Sequence, residues 1–167
     1  DPVNWKAVLP TLRRPGEGFR LSIKGDDRWG NPSNRLTGKI KLKTNLPVTG
    51  LNETVDLKKG DFGVVIEGLS VESPGVLHLT VLDENDQLIA TANPLVIRAA
   101  DAAHFWSDMH AQSGETIGVG TAREYFDFAR NKAFLDIAGH QGNDFQITDA
   151  FWQHLNELTA EYNEDNR

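Results

Sequence analysis

From Phe19 to Ile97 the chain repeats one pattern: a short run in which every second residue is apolar, followed by a cluster of turn formers. Phe19, Leu21 and Ile23 alternate in this way, as do Ile40 and Leu42, Val55 and Leu57, and Phe62, Val64 and Ile66. The same holds for Leu77, Leu79 and Val81, and for the stretch from Leu88 to Ile97. Period-two alternation predicts strands with one apolar and one polar face. Residues 26–34, DDRWGNPSN, are dense in turn formers around Gly30-Asn31-Pro32, and residues 83–87 are short enough to close a hairpin. Six or so such strands, with no helical stretch among them, can bury their apolar faces only against one another. That predicts a β-sandwich over residues 19–98.

Ahead of it, Pro2, Pro10, Pro15, Gly16 and Gly18 forbid a continuous helix or central strand, so residues 1–18 are expected to be a lead-in linker. Behind it, the Ala-rich residues 99–103 are expected to be a hinge to a second domain over 104–167. In that second part the periodicity changes. Phe105-Trp106 opens a short apolar run ending at Asp108-Met109-His110, and Phe134-Leu135-Asp136-Ile137-Ala138 is another, stopped by Gly139-His140. Both read as buried strands. Between them Thr121 and Glu124 have capping-box spacing, and Ala122, Tyr125, Phe126, Ala129 and Ala133 recur at helical intervals. A strand, helix and strand in this order predict a right-handed crossover with parallel strands, whose carboxyl ends share one edge. His110 and His140 then converge there, with Glu115 and Asp144 nearby, and α/β folds bind ligands at that edge. A second amphipathic helix follows, with Thr148 as N-cap, Ile147 stapled to Trp152, and a stripe of Phe151, Trp152, Leu155, Leu158, Thr159 and Tyr162 that reads as packing.

Two resemblances attach to these residues. KGDDRWGNP resembles a turn of bacterial immunoglobulin-like modules, which implies an immunoglobulin-like sandwich. SDMHAQSGE resembles the first motif of the PHP (polymerase and histidinol phosphatase) metallophosphoesterases, an Asp-x-His-x-His that ends the first barrel strand. DIAGHQGND sits where that superfamily has an Asp-His pair. DMHAQSGETIG through GHQGNDFQITDAFW is similar to the PHP-like DUF3604 family, over residues 105–163. Gln112 stands in place of the second histidine, and Gly139 in place of an aspartate. The fold class implied is an α+β chain in two parts, the sandwich followed by the first βαβα portion of a PHP-like (β/α) barrel. Two strands and two helices do not cover a parallel sheet, so further strands are expected from the rest of a parent chain.

The resemblance implies a divalent metal, with His110 and His140 as nitrogen ligands and Glu115 and Asp144 as oxygen ligands. Asp108, Gln112 and Asn143 are the supporting residues. That mixture of donors suits zinc, manganese or iron, and the implied function is hydrolysis of a small phosphorylated substrate by the parent, with this stretch alone inactive. The alternative is a noncatalytic module that binds a partner or organises domains, with a degenerate site. Other candidates are weaker. His78 is expected to face solvent, His154 to lie on a helix surface, and His104 to sit in the hinge. Ser113 lacks the Gly-x-Ser-x-Gly surroundings of a nucleophile elbow. Gly114, Gly118 and Gly120 precede a helix start that would suit a phosphate, or they form a flexible loop.

Charge sharpens the division. Of the net charge of −7, residues 1–100 contribute little, with 13 Lys and Arg against 12 Asp and Glu, whereas residues 101–167 have 4 against 12. An acidic second part favours cations and disfavours nucleic acid. No apolar run is long enough for a membrane helix, and with no cysteine there are no disulfides and no thiolate metal sites. The chain opens DPVNW, without an initiating Met, so it is expected to be a piece of a longer polypeptide whose export signal, if any, lies outside it.

Overall fold

The computed structural model describes residues 1–164, in two compact units that divide after His104. The first unit is all β. Its strands are β1 (Asn4–Val8), β2 (Leu12–Arg13), β3 (Phe19–Asp26), β4 (Gly38–Thr44), β5 (Thr54–Leu57), β6 (Gly63–Leu69), β7 (Gly75–Leu77), β8 (Leu79–Leu82), β9 (Leu88–Thr91) and β10 (Leu95–Ile97). They form sheets of order β1-β3-β6, β5-β4-β8-β9 and β2-β10-β7, which bury their apolar faces in one core. Leu9, Leu21, Ile23, Leu69, Leu77 and Leu95 are fully enclosed there, each stabilising the fold by roughly 1.5–3 kcal/mol relative to exposure. The alternation in the sequence thus becomes sandwich-like packing, as expected.

The runs read as single strands break where the chain changes sheets. Leu77 pairs with Leu95 in one sheet, whereas Leu79 pairs with Thr44 in another. His78 lies between them and is exposed, as expected. Asn45 holds this switch. Its side chain donates to Val76 O at 2.9 Å and accepts from His78 N at 2.7 Å. The stretch from Leu88 to Ile97 divides likewise into β9 and β10 at Asn93-Pro94. Asn93 Oδ1 accepts from Leu9 N and Nδ2 donates to Leu9 O, both at 2.9 Å. An amide side chain matches a peptide group in donor and acceptor, so it completes a ladder where no strand continues.

Residues 1–18 are not a lead-in linker. β1 pairs antiparallel with β3 from Asn4↔Asp26 to Val8↔Ser22, and β2 pairs in parallel with β10. Pro10 and Pro15 fall outside the strands and so interrupt pairing without preventing it. The fully buried Asp26 carboxylate receives Lys6 Nζ at 2.6 Å and lies 3.5 Å from Lys24 Nζ, which ties β1 to β3 by charge as well. The expected hinge is also fastened. Arg14 donates to Ala100 O at 2.7 Å and Asp101 O at 3.0 Å, and Arg13 Nη1 donates to His104 O at 2.7 Å. His104 Nδ1 lies 2.9 Å from Thr11 Oγ1, so this residue ends the first unit and does not begin the second.

The second unit runs β11 (Ser107–Ala111), α1 (Ala122–Asn131), β12 (Ile137–His140), a 3-10 turn at Asp144–Gln146 and α2 (Asp149–Tyr162). β11 and β12 are parallel, as the crossover argument requires. The helices pack through Ala122, Phe126, Leu155 and Leu158, with Tyr125, Ile147, Phe151 and Tyr162 around them. Thr148 caps α2 by accepting from Phe151 N. Trp152 and Thr159 stand outside that packing stripe: Trp152 is 60% exposed, and Ile147 joins the cluster without it.

The two strands are not buried. Phe105 is 55% and Met109 61% exposed, and only Ala111 of β11 is half-buried. Phe134 and Leu135 are not strand at all. Phe134 has φ 58° and Leu135 N bonds back to Ala129 O, so both belong to the turn that closes α1. The structure is therefore mostly β sheet with two helices, and the barrel portion of the expected fold class is not seen in it.

Replacing Asn93 by Ala removes the two side-chain hydrogen bonds to the backbone of the enclosed Leu9. The expected loss is about 2–4 kcal/mol in urea unfolding, with an unchanged denaturant slope. A loss below about 0.5 kcal/mol would show that the amide does not hold the β9–β10 switch.

Candidate functional site at the ends of β11 and β12

β11 and β12 run side by side as Ser107↔Ile137, Asp108↔Ala138 and Ala111↔His140, with an irregularity between Asp108 and Ala111. Three steps along β11 therefore match two along β12, and Met109 and His110 occupy the bulge. Trp106 fixes the start of the pair, donating to Asp136 Oδ2 at 2.8 Å while its carbonyl accepts from Asp136 N and Ile137 N. The strand ends then deliver Gln112 and His140 to one edge.

His140 is half-buried. Its ring meets Tyr125 and Phe151 edge-on, with centroids 6.2 Å and 5.6 Å away. Nε2 lies 2.8 Å from Ser113 Oγ, a residue with no exposed surface. Nδ1 is enclosed and makes no hydrogen bond among the described residues, and the same is true of Gln112 Oε1. Desolvation pushes the His140 pKa below its ordinary 6.5, against the opposing pull of Glu115. Tyr125 donates to Gly139 O at 3.3 Å, and its pKa is pushed up to about 12, first by desolvation and then by the charge of Asp108.

The loop that carries Ser113 is tightly folded. Ser113 O accepts from Thr116 N, Thr116 Oγ1 and Gly118 N, and Gly114 N donates to Gly120 O. A Cβ on Gly118 would stand 2.4 Å from Gln112 O and 2.9 Å from Ser113 N, so no other residue lets the loop close on itself here. The Glu115 carboxylate accepts from Ala122 N at 3.4 Å, with the Ser113 hydroxyl and its own N–H among the polar groups that favour its charged form. Partial desolvation raises its pKa, but those groups and the nearby His140 outweigh it and hold the carboxyl below the usual range. The capping box predicted at Thr121 and Glu124 is present. The N–H groups of Thr121, Ala122 and Glu124 are thus engaged, which leaves little of this helix start for a phosphate.

The expected site residues divide. Glu115 and His140 come near enough for their charges to influence one another, and Ser113 Oγ stands 2.8 Å from His140 Nε2. His110 is exposed on β11, its N–H donating to Asp108 Oδ1 at 3.1 Å. Asp144 is exposed and accepts from Phe145 N, and Asn143 donates to Gln146 Oε1. Among the described residues no group of three or more His, Asp or Glu gathers as a metal site. The donors present fit one side of such a site: the Nδ1 of His140 and the carbonyl oxygen of Gln112 are enclosed without partners, which suits groups awaiting a cation. Sequence reasoning gave Ser113 no role because it tested only a nucleophile. The discoverable signal was a serine between a candidate carboxylate and a strand-end histidine.

No family model matches the chain, and no curated protein matches it. Among solved structures, the PKD domain of an M14-like peptidase from a Thermoplasmatales archaeon is similar at 14% identity and a TM-score of 0.34, covering 59% of this chain and 98% of that one. That likeness is too distant to carry an argument about fold or function. No helix among the described residues is long and apolar enough to cross a membrane.

The lowered His140 pKa sets a direction for pH dependence. The unfolded chain takes up a proton near 6.5, before the folded one does, so stability is full above that pH and falls as acid carries the ring through its lower folded value. The depressed Glu115 acts in the same sense at lower pH. The His140 ring signals, followed by NMR from pH 8 to 5, should titrate with a midpoint below 6.5. A midpoint at or above that value contradicts the enclosed, neutral imidazole.

Proposed function

We propose that the stretch from Phe105 onward is the opening portion of a PHP-like, metal-dependent phosphoesterase-like hydrolase, as the resemblance to DUF3604 implies. The β unit serves it as an immunoglobulin-like accessory module. The observation that carries the reading is the pair of enclosed, unpartnered polar atoms at the common edge of two parallel strands, His140 Nδ1 and Gln112 Oε1. These two would hold a divalent zinc, manganese or iron ion, and the remaining ligands would come from the rest of the parent chain. A bound ion of this kind supplies a coordinated water of lowered pKa and a clamp for a phosphoryl oxygen. The chain's own residues prepare that chemistry. Tyr125 and Phe151 shield the imidazole from water, its lowered pKa keeps it neutral and able to donate a lone pair, and the bulge at Met109 and His110 turns His110 toward solvent at the same edge.

One observation favours a second reading, a noncatalytic module that binds a partner or organises domains. Glu115 is committed to the start of α1, and fewer than three candidate ligands gather among the described residues. Metal content and hydrolysis of a generic phosphodiester separate the two. The parent chain should retain about one equivalent or more of divalent metal, and His140→Ala should lose at least tenfold in both metal and activity. His110→Ala should lose less, because its ring lies in the open. Metal content and hydrolysis unchanged in both variants would leave only the noncatalytic module.

A further inference from the structure

We infer that the candidate site takes phosphodiesters with an apolar arm, which Ile117, Val119, Phe145 and Trp152 receive at its rim. The four side chains are large, apolar and exposed, Val119 at 98% and Phe145 at 82%. They come from three stretches, each tied to the site. On either side of Ile117, Thr116 N and Gly118 N donate to Ser113 O, and Ser113 Oγ stands 2.8 Å from His140 Nε2. Val119 follows directly, between Gly118, which lies close against Gln112 O, and Gly120, whose carbonyl accepts from Gly114 N. Phe145 sits in the 3-10 turn after β12. That loop meets the first at Gly142, where a Cβ would stand 2.9 Å from Thr116 and 2.4 Å from Ile147. Trp152 follows Phe151, whose ring meets that of His140 edge-on at 5.6 Å. The two enclosed polar atoms, His140 Nδ1 and Gln112 Oε1, are thus bordered by segments whose outward side chains are apolar.

Apolar surface on the strands themselves has a different cause. Met109 and Ile137 are exposed because the sheet has two strands, and a wider parallel sheet would bury them. Ile117, Val119 and Phe145 lie beyond the strand ends, where a wider sheet adds further loops and no cover. Exposed apolar groups gathered in one place mark a site where something apolar binds. Charge then selects among ligands. Glu115, Asp144 and Asp149 are exposed in the same segments, and no Lys or Arg lies in residues 112–122 or 140–162. An arm bearing further phosphates, as in a nucleotide, meets carboxylates there and no fixed cation. A phosphodiester carries one negative charge, and an alkyl or aryl arm adds none. The reaction is the hydrolysis proposed above, on which this inference rests. Water gives its hydroxyl to phosphorus, the bond from phosphorus to one ester oxygen breaks, and the released alcohol takes water's other hydrogen.

The test is chain-length preference in the full parent chain with zinc supplied, read by binding as well as by turnover. The methyl and hexyl monoesters of methylphosphonic acid are monoanionic analogues of dimethyl phosphate and hexyl methyl phosphate. In calorimetry the hexyl ester should bind about tenfold or more tightly than the methyl ester, and kcat/KM should favour hexyl methyl phosphate over dimethyl phosphate by a similar factor. Combining Val119→Ser with Phe145→Ser should bring the binding ratio below about threefold. Both side chains are almost free of packing, so the fold is kept. Trp29→Ser, which removes a comparably exposed aromatic from the first unit, should leave the ratio at its wild-type value. No measurable binding of the hexyl ester, a wild-type ratio below about threefold, a ratio unmoved by the double substitution, or one lost equally in Trp29→Ser overturns the inference. Chain-length preference in binding without hydrolysis of either diester removes the hydrolase reading alone. Hydrolysis of both diesters without preference removes the apolar rim alone.

Discussion

A backbone amide taken out of water must find a partner, and a sandwich made of short strands breaks its ladders wherever the chain crosses between sheets. This chain crosses at His78 and again at Asn93-Pro94, and at each place an asparagine side chain substitutes for the missing strand. Asn45 and Asn93 let Leu77, Leu79 and Leu95 all reach one core from two sheets. Without them the switches would lose hydrogen bonds beside fully buried leucines, a cost comparable to what each leucine contributes.

The second unit obeys the same accounting at a smaller scale. Its loop from Gln112 to Gly120 has no regular structure, so its amides turn inward to Ser113 O, Gly120 O and the Glu115 carboxylate. Glycine permits this closure at Gly118 by steric absence and at Gly120 by its positive φ of 78°. A glycine cluster that reads either as a phosphate-holding loop or as a flexible one is in fact a compact support for one buried serine. The groups that a phosphate would need are already used by the capping box and by Glu115.

Glu115 illustrates how a residue's type and its role come apart. As a letter in an acidic loop it reads as an oxygen ligand. In the fold it bonds to the amide at the start of α1, and toward His140 it offers a nearby charge. The consequence is an imidazole oriented from one side and shielded by two aromatic rings, with its second nitrogen unsatisfied.

Local pattern by itself determined the alternating strands from Phe19 onward, the capping box at Thr121, the start of α2 at Thr148 and the parallel sense of β11 and β12, because each depends on neighbours a few residues apart or on the length of a crossover. Tertiary structure alone decided the rest. β1 and β2 have too many nearby breakers to read as strands, and they exist because β3 and β10 offer them open edges. Phe134 reads as the start of a strand yet takes a left-handed turn to close α1, and Met109 is apolar yet exposed in a bulge. Ser113 gained its place from a contact 27 positions away, at His140. Partners that distant are chosen by packing and by the need to satisfy buried polar groups, and neither leaves a periodic trace in the order of residues.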